Sequence, residues 1–342
     1  MLRLPQFDLS EPTTVDEVIA QLVAHDGRAQ IIAGGTDLVP NMKHGLFEPE
    51  HVVSLERVEA LRGIHASGAE DQPMVIGAMT RISEVAASEL VRERAPALAH
   101  AASLIAGPQL RTMGTLGGNV MLDTRCQWYN QTYFWRKSLG FCLKKDGELC
   151  HVVAGGKKCV AAASNDSAPA LMTLGATVVF VGPDGEREIP IDDLWKADGI
   201  VNKKTLPHEV LTEIRIPAQA AGHRGAYGKL RDRESIDFPL LGVAARVDLD
   251  SGGKVADADL VAVALAARPV RLKRVSETLA GTTPGSDDFL EAAKAVAAAA
   301  FKQCHPLANV PGDADYRREM VPVYVRRTLL AAAAGDGPVH AV

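Results

Sequence analysis

IIAGGTDLVP (residues 31–40) and GTLGGN (residues 114–119) are the stretches on which the reading of this chain turns. Each joins small or apolar residues to a glycine pair, and each sets a threonine close to it, Thr36 in the first and Thr115 in the second. Adjacent glycines let successive backbone N–H groups turn toward one point, and such a nest binds anions. Two loops of this kind, meeting from distant parts of the chain on one diphosphate, would form a dinucleotide cradle. Neither has the form G-x-G-x-x-G, so a Rossmann fold does not follow. In a chain with 30 glycines a Gly-Gly pair is also an ordinary turn, and spacing alone leaves both readings open.

Around the loops the pattern alternates between helix and strand in short pieces. TVDEVIAQLVAH (14–25) predicts a helix, with Thr14 and Glu17 as a capping box and Val15, Ile19, Leu22 and Val23 as its apolar stripe. AQIIA, HVVSL, GIHAS and PMVIGA read as strands, the last two joined by a loop containing DQP. TRISEVAAS and PALAHAASLIA read as helices, then SAPALMTLG as a short helix, ATVVFVG with PDGEREIPI as a hairpin, and EVLTEIRIP as a strand. PAQAAGHRG (217–225) reads as a linker. Beyond it, AYGKLRD, LLGVAARVDLD and KVADADLVAVALA predict three strands, followed by helices in RLKRVSETLAG, DFLEAAKAVAAAAFKQC and ADYRREMVPVYVRRTLLAAAA. Strands followed by helices imply an α+β domain.

The totals bound the function. A length of 342 residues suits two or three domains, and 47% hydrophobic with 23% charged residues is a globular composition. A net charge of -5 argues against a general nucleic-acid binder. No apolar run approaches the ~20 residues of a membrane span. The N-terminus MLRLPQFDLSEPTTVDE lacks the apolar core of a secretory signal, so a cytoplasmic location is expected.

Four of the five cysteines, Cys126, Cys142, Cys150 and Cys159, fall in one stretch with Trp128, Tyr129, Tyr133, Phe134, Trp135 and Phe141. Disulfides suit a reducing compartment poorly. Zinc sites usually build on C-x2–4-C knuckles, which are missing here. Wide spacing suits a larger object that the chain wraps around, and four thiolates are what a [4Fe–4S] cluster requires. A cluster, zinc, and free or paired thiols all stay open at this point. From 125 to 159 there are seven bases and two acids, in a chain of net charge -5; that excess would offset a negative cluster, attract an acidic electron carrier, or form a plain solvated face. Cys304 reads as a core or helix-end residue.

AGGTDL followed by RTMGTLGGN resembles the FAD-binding subunit of the molybdenum hydroxylases, the xanthine oxidase family. SNDSAPALMTLGATVVF, EVLTEIRIP and AYGKLRDRESIDFPLLGVAARV continue the likeness, with Lys229, Arg233 and Asp237 in the last. The resemblance implies a two-subdomain FAD-binding domain of the vanillyl-alcohol-oxidase type over 1–220, with subdomains of about 1–57 and 58–220. It also implies a C-terminal α+β domain over 221–335, a three-stranded antiparallel sheet with helices. The diphosphate loop falls on Ala33, Gly34, Gly35, Thr36, Asp37 and Leu38, and the second loop on Thr115, Leu116, Gly117, Gly118 and Asn119. Asp166 falls where an acid touches FAD, Leu211 where an apolar residue flanks the flavin, and Lys229 where a lysine lies near the ring. Thr112 stands where the family commonly has asparagine.

Family members mostly pass from GGN directly to the next strand, whereas this chain carries an insert at 123–162. The branch with such an insert is the flavoprotein subunit of the 4-hydroxybenzoyl-CoA reductases, whose [4Fe–4S] ligands match Cys126, Cys142, Cys150 and Cys159. That likeness implies a ferredoxin-like donor, a [2Fe–2S] small subunit, a molybdopterin large subunit and a dimer of heterotrimers. Electrons would reach the molybdenum site by way of [4Fe–4S], FAD and [2Fe–2S], with the catalytic residues outside this subunit. Two other readings are a related molybdenum enzyme with a different aromatic or heterocyclic substrate, and a zinc-stapled assembly module without flavin.

Overall fold

The computed structural model describes residues 2–66 and 72–339; Ser67 of GIHAS and Asp71 of the DQP loop lie outside the described residues. Three sheets organise the chain. The first is parallel, with β1 (Asp8–Ser10), β2 (Ala29–Ile32) and β3 (His51–Ser54) in the order β1-β3-β2. The helix Val15–Ala24 packs on it, and its capping box forms as expected, with Glu17 N–H donating to Thr14 Oγ1 at 3.2 Å. Its buried stripe is Val18, Ile19 and Leu22, whereas Val23 is 47% exposed. A period of 3.6 residues turns Val18 inward beside Leu22 and carries Val23 toward solvent.

The second sheet is antiparallel and holds β4 (Ile64–Ala66), β5 (Met74–Gly77), β6 (Thr177–Gly182), β7 (Gly185–Pro190) and β8 (Val210–Ile216), in the order β4-β5-β8-β6-β7. The third holds β9 (His223–Leu230), β10 (Leu241–Leu249), β11 (Val255–Val263) and β12 (Val270–Arg271), in the order β12-β11-β10-β9. The expected three-stranded sheet therefore has a fourth strand. Val270 and Arg271 pair with Ala262 and Val261, so the helix expected from Arg271 begins only at Val275. The linker is also shorter than expected, because His223 already pairs with Asp248 across β9 and β10.

Successive strand residues point to opposite faces. Tyr227, Ala244 and Val261 face the helices Pro96–Leu104 and Ser167–Thr173, which lie between the second and third sheets. Ala226, Val243, Ala245 and Leu260 face the helices Asp287–Gln303 and Ala314–Ala334. A sheet covered on both faces explains why LLGVAARV and LVAVALA run nearly without polar residues. Cys304 ends the first of those two helices and is buried in the same core.

Candidate cofactor site

The two glycine loops touch. The first leaves the end of β2, with Gly35 in the left-handed region at φ 69°. A Cβ on Gly34 would overlap the carbonyl of Met113, so only glycine allows this approach. Ala33 lies over Gly118, and Thr36 Oγ1 over Gly114. The second loop is held from below, where Leu116 N–H donates to Thr80 O and Gly117 N–H to Ala78 O, both at 2.9 Å. A Cβ on Gly117 would come within 2.7 Å of Ala78, a second close approach. Thr115 turns its hydroxyl to the N–H of Gly118 at 3.1 Å. Asn119 Oδ1 accepts from Ser167 N–H at 3.1 Å and Ser167 Oγ at 2.6 Å, which fastens the loop to the helix Ser167–Thr173.

Among the described residues, none accepts a hydrogen bond from the N–H of Gly34, Gly35, Thr36 or Asp37. Leu38 follows as the first residue of the helix Leu38–Lys43. Four successive donors without an acceptor, beside a glycine-lined approach of two loops, suit an anion such as a diphosphate.

Asp166, Leu211 and Lys229 lie deeper. Lys229 Nζ donates to Asp166 Oδ2 at 3.0 Å and to Leu104 O at 3.0 Å, and Tyr227 O–H donates to Asp166 Oδ1 at 2.8 Å. Burial pushes the Asp166 carboxyl up and the Lys229 ammonium down, and the opposite charge of each partner works against both shifts. Asp166 begins its helix without capping it; its oxygens face β9 instead. Leu211, on β8, packs in the core against the helices. Arg233 pairs with Asp237, so the Lys229–Arg233–Asp237 run divides between two tasks.

The insert 123–162 folds onto the turn after the helix Leu38–Lys43. Arg136 is fully buried and donates to Gly45 O at 2.7 Å. Lys144 Nζ bonds Asp123 Oδ1 and Gly199 O, each at 2.8 Å. Arg125 pairs with Asp37 of the first loop, and its guanidinium lies 4.2 Å from the centre of the Phe238 ring. Three of the seven bases thus stitch the insert inward, so the surface is less basic than the charge count suggested.

Cys126, Cys142, Cys150 and Cys159 line one small cavity of about 20 Å³. Burial, reinforced by the other cysteines, pushes the Cys126 thiol up to about 12, while a backbone donor at Trp128 acts the other way. Trp128 and Tyr129 line the cavity too, but Tyr133, Phe134 and Trp135 are 42%, 78% and 37% exposed. The aromatics of the insert therefore enclose the cavity only in part, because the helix Tyr133–Ser138 turns those three rings outward. Among the described residues no group of three or more His, Cys, Asp or Glu side chains is set to hold a single metal ion. Likewise no helix among them is long and apolar enough to cross a membrane.

The sequence reading missed Tyr227, Ser167 and Asn165 as supports of the site; Asn165 Nδ2 donates to Asn119 O at 2.8 Å and to Val120 O at 3.0 Å. Tyr227 was detectable, since it lies two residues before Lys229 and shares its face of β9.

Residues 5–219 match the family described as FAD binding domain in molybdopterin dehydrogenase. The chain belongs to the FAD-binding subunits of the molybdenum hydroxylase family. Residues 225–332 match the CO dehydrogenase flavoprotein C-terminal domain. The carbon monoxide dehydrogenase medium chain of Hydrogenophaga pseudoflava is 33% identical over 328 residues, 96% of this chain and 97% of that one. The 6-hydroxypseudooxynicotine dehydrogenase complex subunit alpha of Paenarthrobacter nicotinovorans is 28% identical over 97% of this chain and 96% of its own length. Among solved structures, carbon monoxide dehydrogenase from Hydrogenophaga pseudoflava lacking the Mo-pyranopterin moiety superposes with a TM-score of 0.78 and 31% identity, covering 98% of this chain and 100% of that one. The family binds FAD and has the mixed α+β architecture seen here, and its members are oxidoreductase subunits.

Proposed function

We propose that this chain is the FAD- and [4Fe–4S]-bearing electron-transfer subunit of a molybdenum enzyme acting on 4-hydroxybenzoyl-CoA. One observation carries the iron–sulfur part: four thiols spaced along one insert line a single cavity, and that insert is pinned to the first glycine loop. Zinc sites build on close cysteine pairs, whereas these four are spaced by sixteen, eight and nine residues. In this reading the cluster's ligands are Cys126, Cys142, Cys150 and Cys159, and Trp128 and Tyr129 keep water from one side.

The N–H groups of Gly34, Gly35, Thr36 and Asp37 hold the diphosphate, with Ala33 and Leu38 flanking them. Thr115, Leu116, Gly117, Gly118 and Asn119 form the facing wall. Asp166 and Lys229, locked together with Tyr227, fix the floor near the flavin, and Leu211 packs beside it. When bound, FAD exchanges electrons singly or in pairs and a [4Fe–4S] cluster exchanges them singly. We assign 1–220 to the flavin domain and 221–335 to the C-terminal domain. The partners in this reading are a [2Fe–2S] small subunit, a molybdopterin large subunit and a ferredoxin-like donor, in a cytoplasmic dimer of heterotrimers.

A second reading keeps the flavin and changes the substrate, and the 33% identity to a carbon monoxide dehydrogenase medium chain favours it. Purifying the assembly through this chain separates the two. Reductive removal of the hydroxyl of 4-hydroxybenzoyl-CoA supports the first; oxidation of another substrate with no such activity overturns it. Iron, sulfide and zinc analysis tests the cluster. Serine at any one of the four cysteine positions should lower iron and sulfide, and Cys304→Ser should not; stoichiometric zinc without sulfide excludes the cluster.

A further inference from the structure

Arg125 is the point where the insert and the first glycine loop meet. Its main chain is paired on both sides with Ala162, N–H to O at 2.7 Å and O from N–H at 2.8 Å, which closes the neck of the insert. Cys126 is the next residue, and Cys159 lies just before Ala162. Its side chain is only 12% exposed. The guanidinium is set by the Phe238 ring on one side and the Asp37 carboxylate on another. Its Nε–H has no acceptor among the described residues.

Asp37 is an awkward residue where it stands. It follows three of the four unpaired N–H donors and supplies the fourth itself, and it begins a helix without capping it. A carboxylate at that place repels any anion the donors would hold. A guanidinium on it cancels the charge and leaves the donors' field to the ligand.

We infer that Arg125 is a positioning residue for flavin binding, which neutralises Asp37 beside the diphosphate donors and so makes FAD affinity depend on the cysteine-bearing insert. This rests on the assignment of the diphosphate to Gly34–Asp37. The coupling is reciprocal by linkage: whatever orders the neck around Cys126 favours FAD, and FAD in turn favours the ordered neck.

The test is FAD affinity, read by quenching of flavin fluorescence on the deflavinated full-length chain, with iron and sulfide measured on each variant. Arg125→Gln should bind FAD at least tenfold more weakly. Arg125→Gln combined with Asp37→Asn should return to within about threefold of wild type, because the unpaired charge is gone. Wild-type affinity in Arg125→Gln, or a double variant as weak as the single one, overturns the inference. Should Arg125→Gln not fold, Asp37→Asn alone decides: it should bind FAD at least as tightly as wild type, and a tenfold loss refutes the idea. Gly34→Val is the control for the underlying assignment. If it binds FAD normally the diphosphate is elsewhere; if it loses FAD while Arg125→Gln does not, the loop assignment stands and only the role of Arg125 fails.

Discussion

Replacing Lys229 with methionine removes one half of a buried ion pair that joins β9 to the helix Ser167–Thr173. Lys229 is 1% and Asp166 2% exposed, and their 3.0 Å contact is shielded from water. The substitution strands Asp166 Oδ2, and at Leu104 O it leaves only the 3.4 Å contact from Arg231. Breaking a buried pair by removing one partner costs about 3–5 kcal/mol. With an unfolding entropy of about 2.1 cal/mol/K per residue over 342 residues, that corresponds to a fall in Tm of ~4–7 °C. Asp166→Asn combined with Lys229→Met leaves no charge behind, and Tyr227 still finds an oxygen to donate to. The double variant should therefore recover most of the loss. Scanning calorimetry on wild type, Lys229→Met, Asp166→Asn and the double variant measures it. A double variant as unstable as Lys229→Met, or a Lys229→Met protein that melts with wild type, would refute the account of this pair as mutually dependent.

Other predictions follow from single contacts. Gly34→Ala places a Cβ on the carbonyl of Met113 and should yield protein with little bound flavin, read from absorbance after gel filtration. Lys203 is enclosed, with its ammonium donating to Leu122 O at 2.6 Å, and burial lowers it from 10.5 to about 7. The unfolded chain then binds more protons than the folded one between those values, so stability rises with pH across that window and is lost as pH falls through 7. Relative to Lys203→Met, wild type should gain ~4 kcal/mol between pH 7 and pH 10 in urea titrations; a constant difference contradicts it. Arg136→Met leaves Gly45 O unpaired and should free the insert from the turn after Lys43. Faster proteolysis within 123–162, with the rest of the chain intact, would show this.

Local chemistry was legible in the sequence wherever it was self-contained. The capping box at Thr14 and Glu17, the hairpin at 182–185 and the glycine pairs each carry their own physical signal. Features that depend on partners far along the chain were not legible. β1 is three residues long and gains its place only by pairing with β3. β12 is two residues long, exists only as an edge on β11, and displaced the start of a helix. For the site, the residue types were readable but the pairing was not. Nothing in spacing says that Arg125 reaches Asp37, or that Asp166 turns from its helix to Tyr227 and Lys229. The charge count misled for the same reason: Arg125, Arg136 and Lys144 look like surface bases until the carbonyls and carboxylates that enclose them are known.

The most direct test of the central claim, that one chain holds both a flavin and an iron–sulfur cluster, is an anaerobic reductive titration of the purified subunit followed by absorbance and electron paramagnetic resonance. Uptake of about three electrons per chain, two at the flavin and one giving a cluster signal that disappears in Cys142→Ser, is the expected result. Uptake of two electrons, with flavin bleaching and no paramagnetic cluster in anaerobically prepared protein, would contradict it.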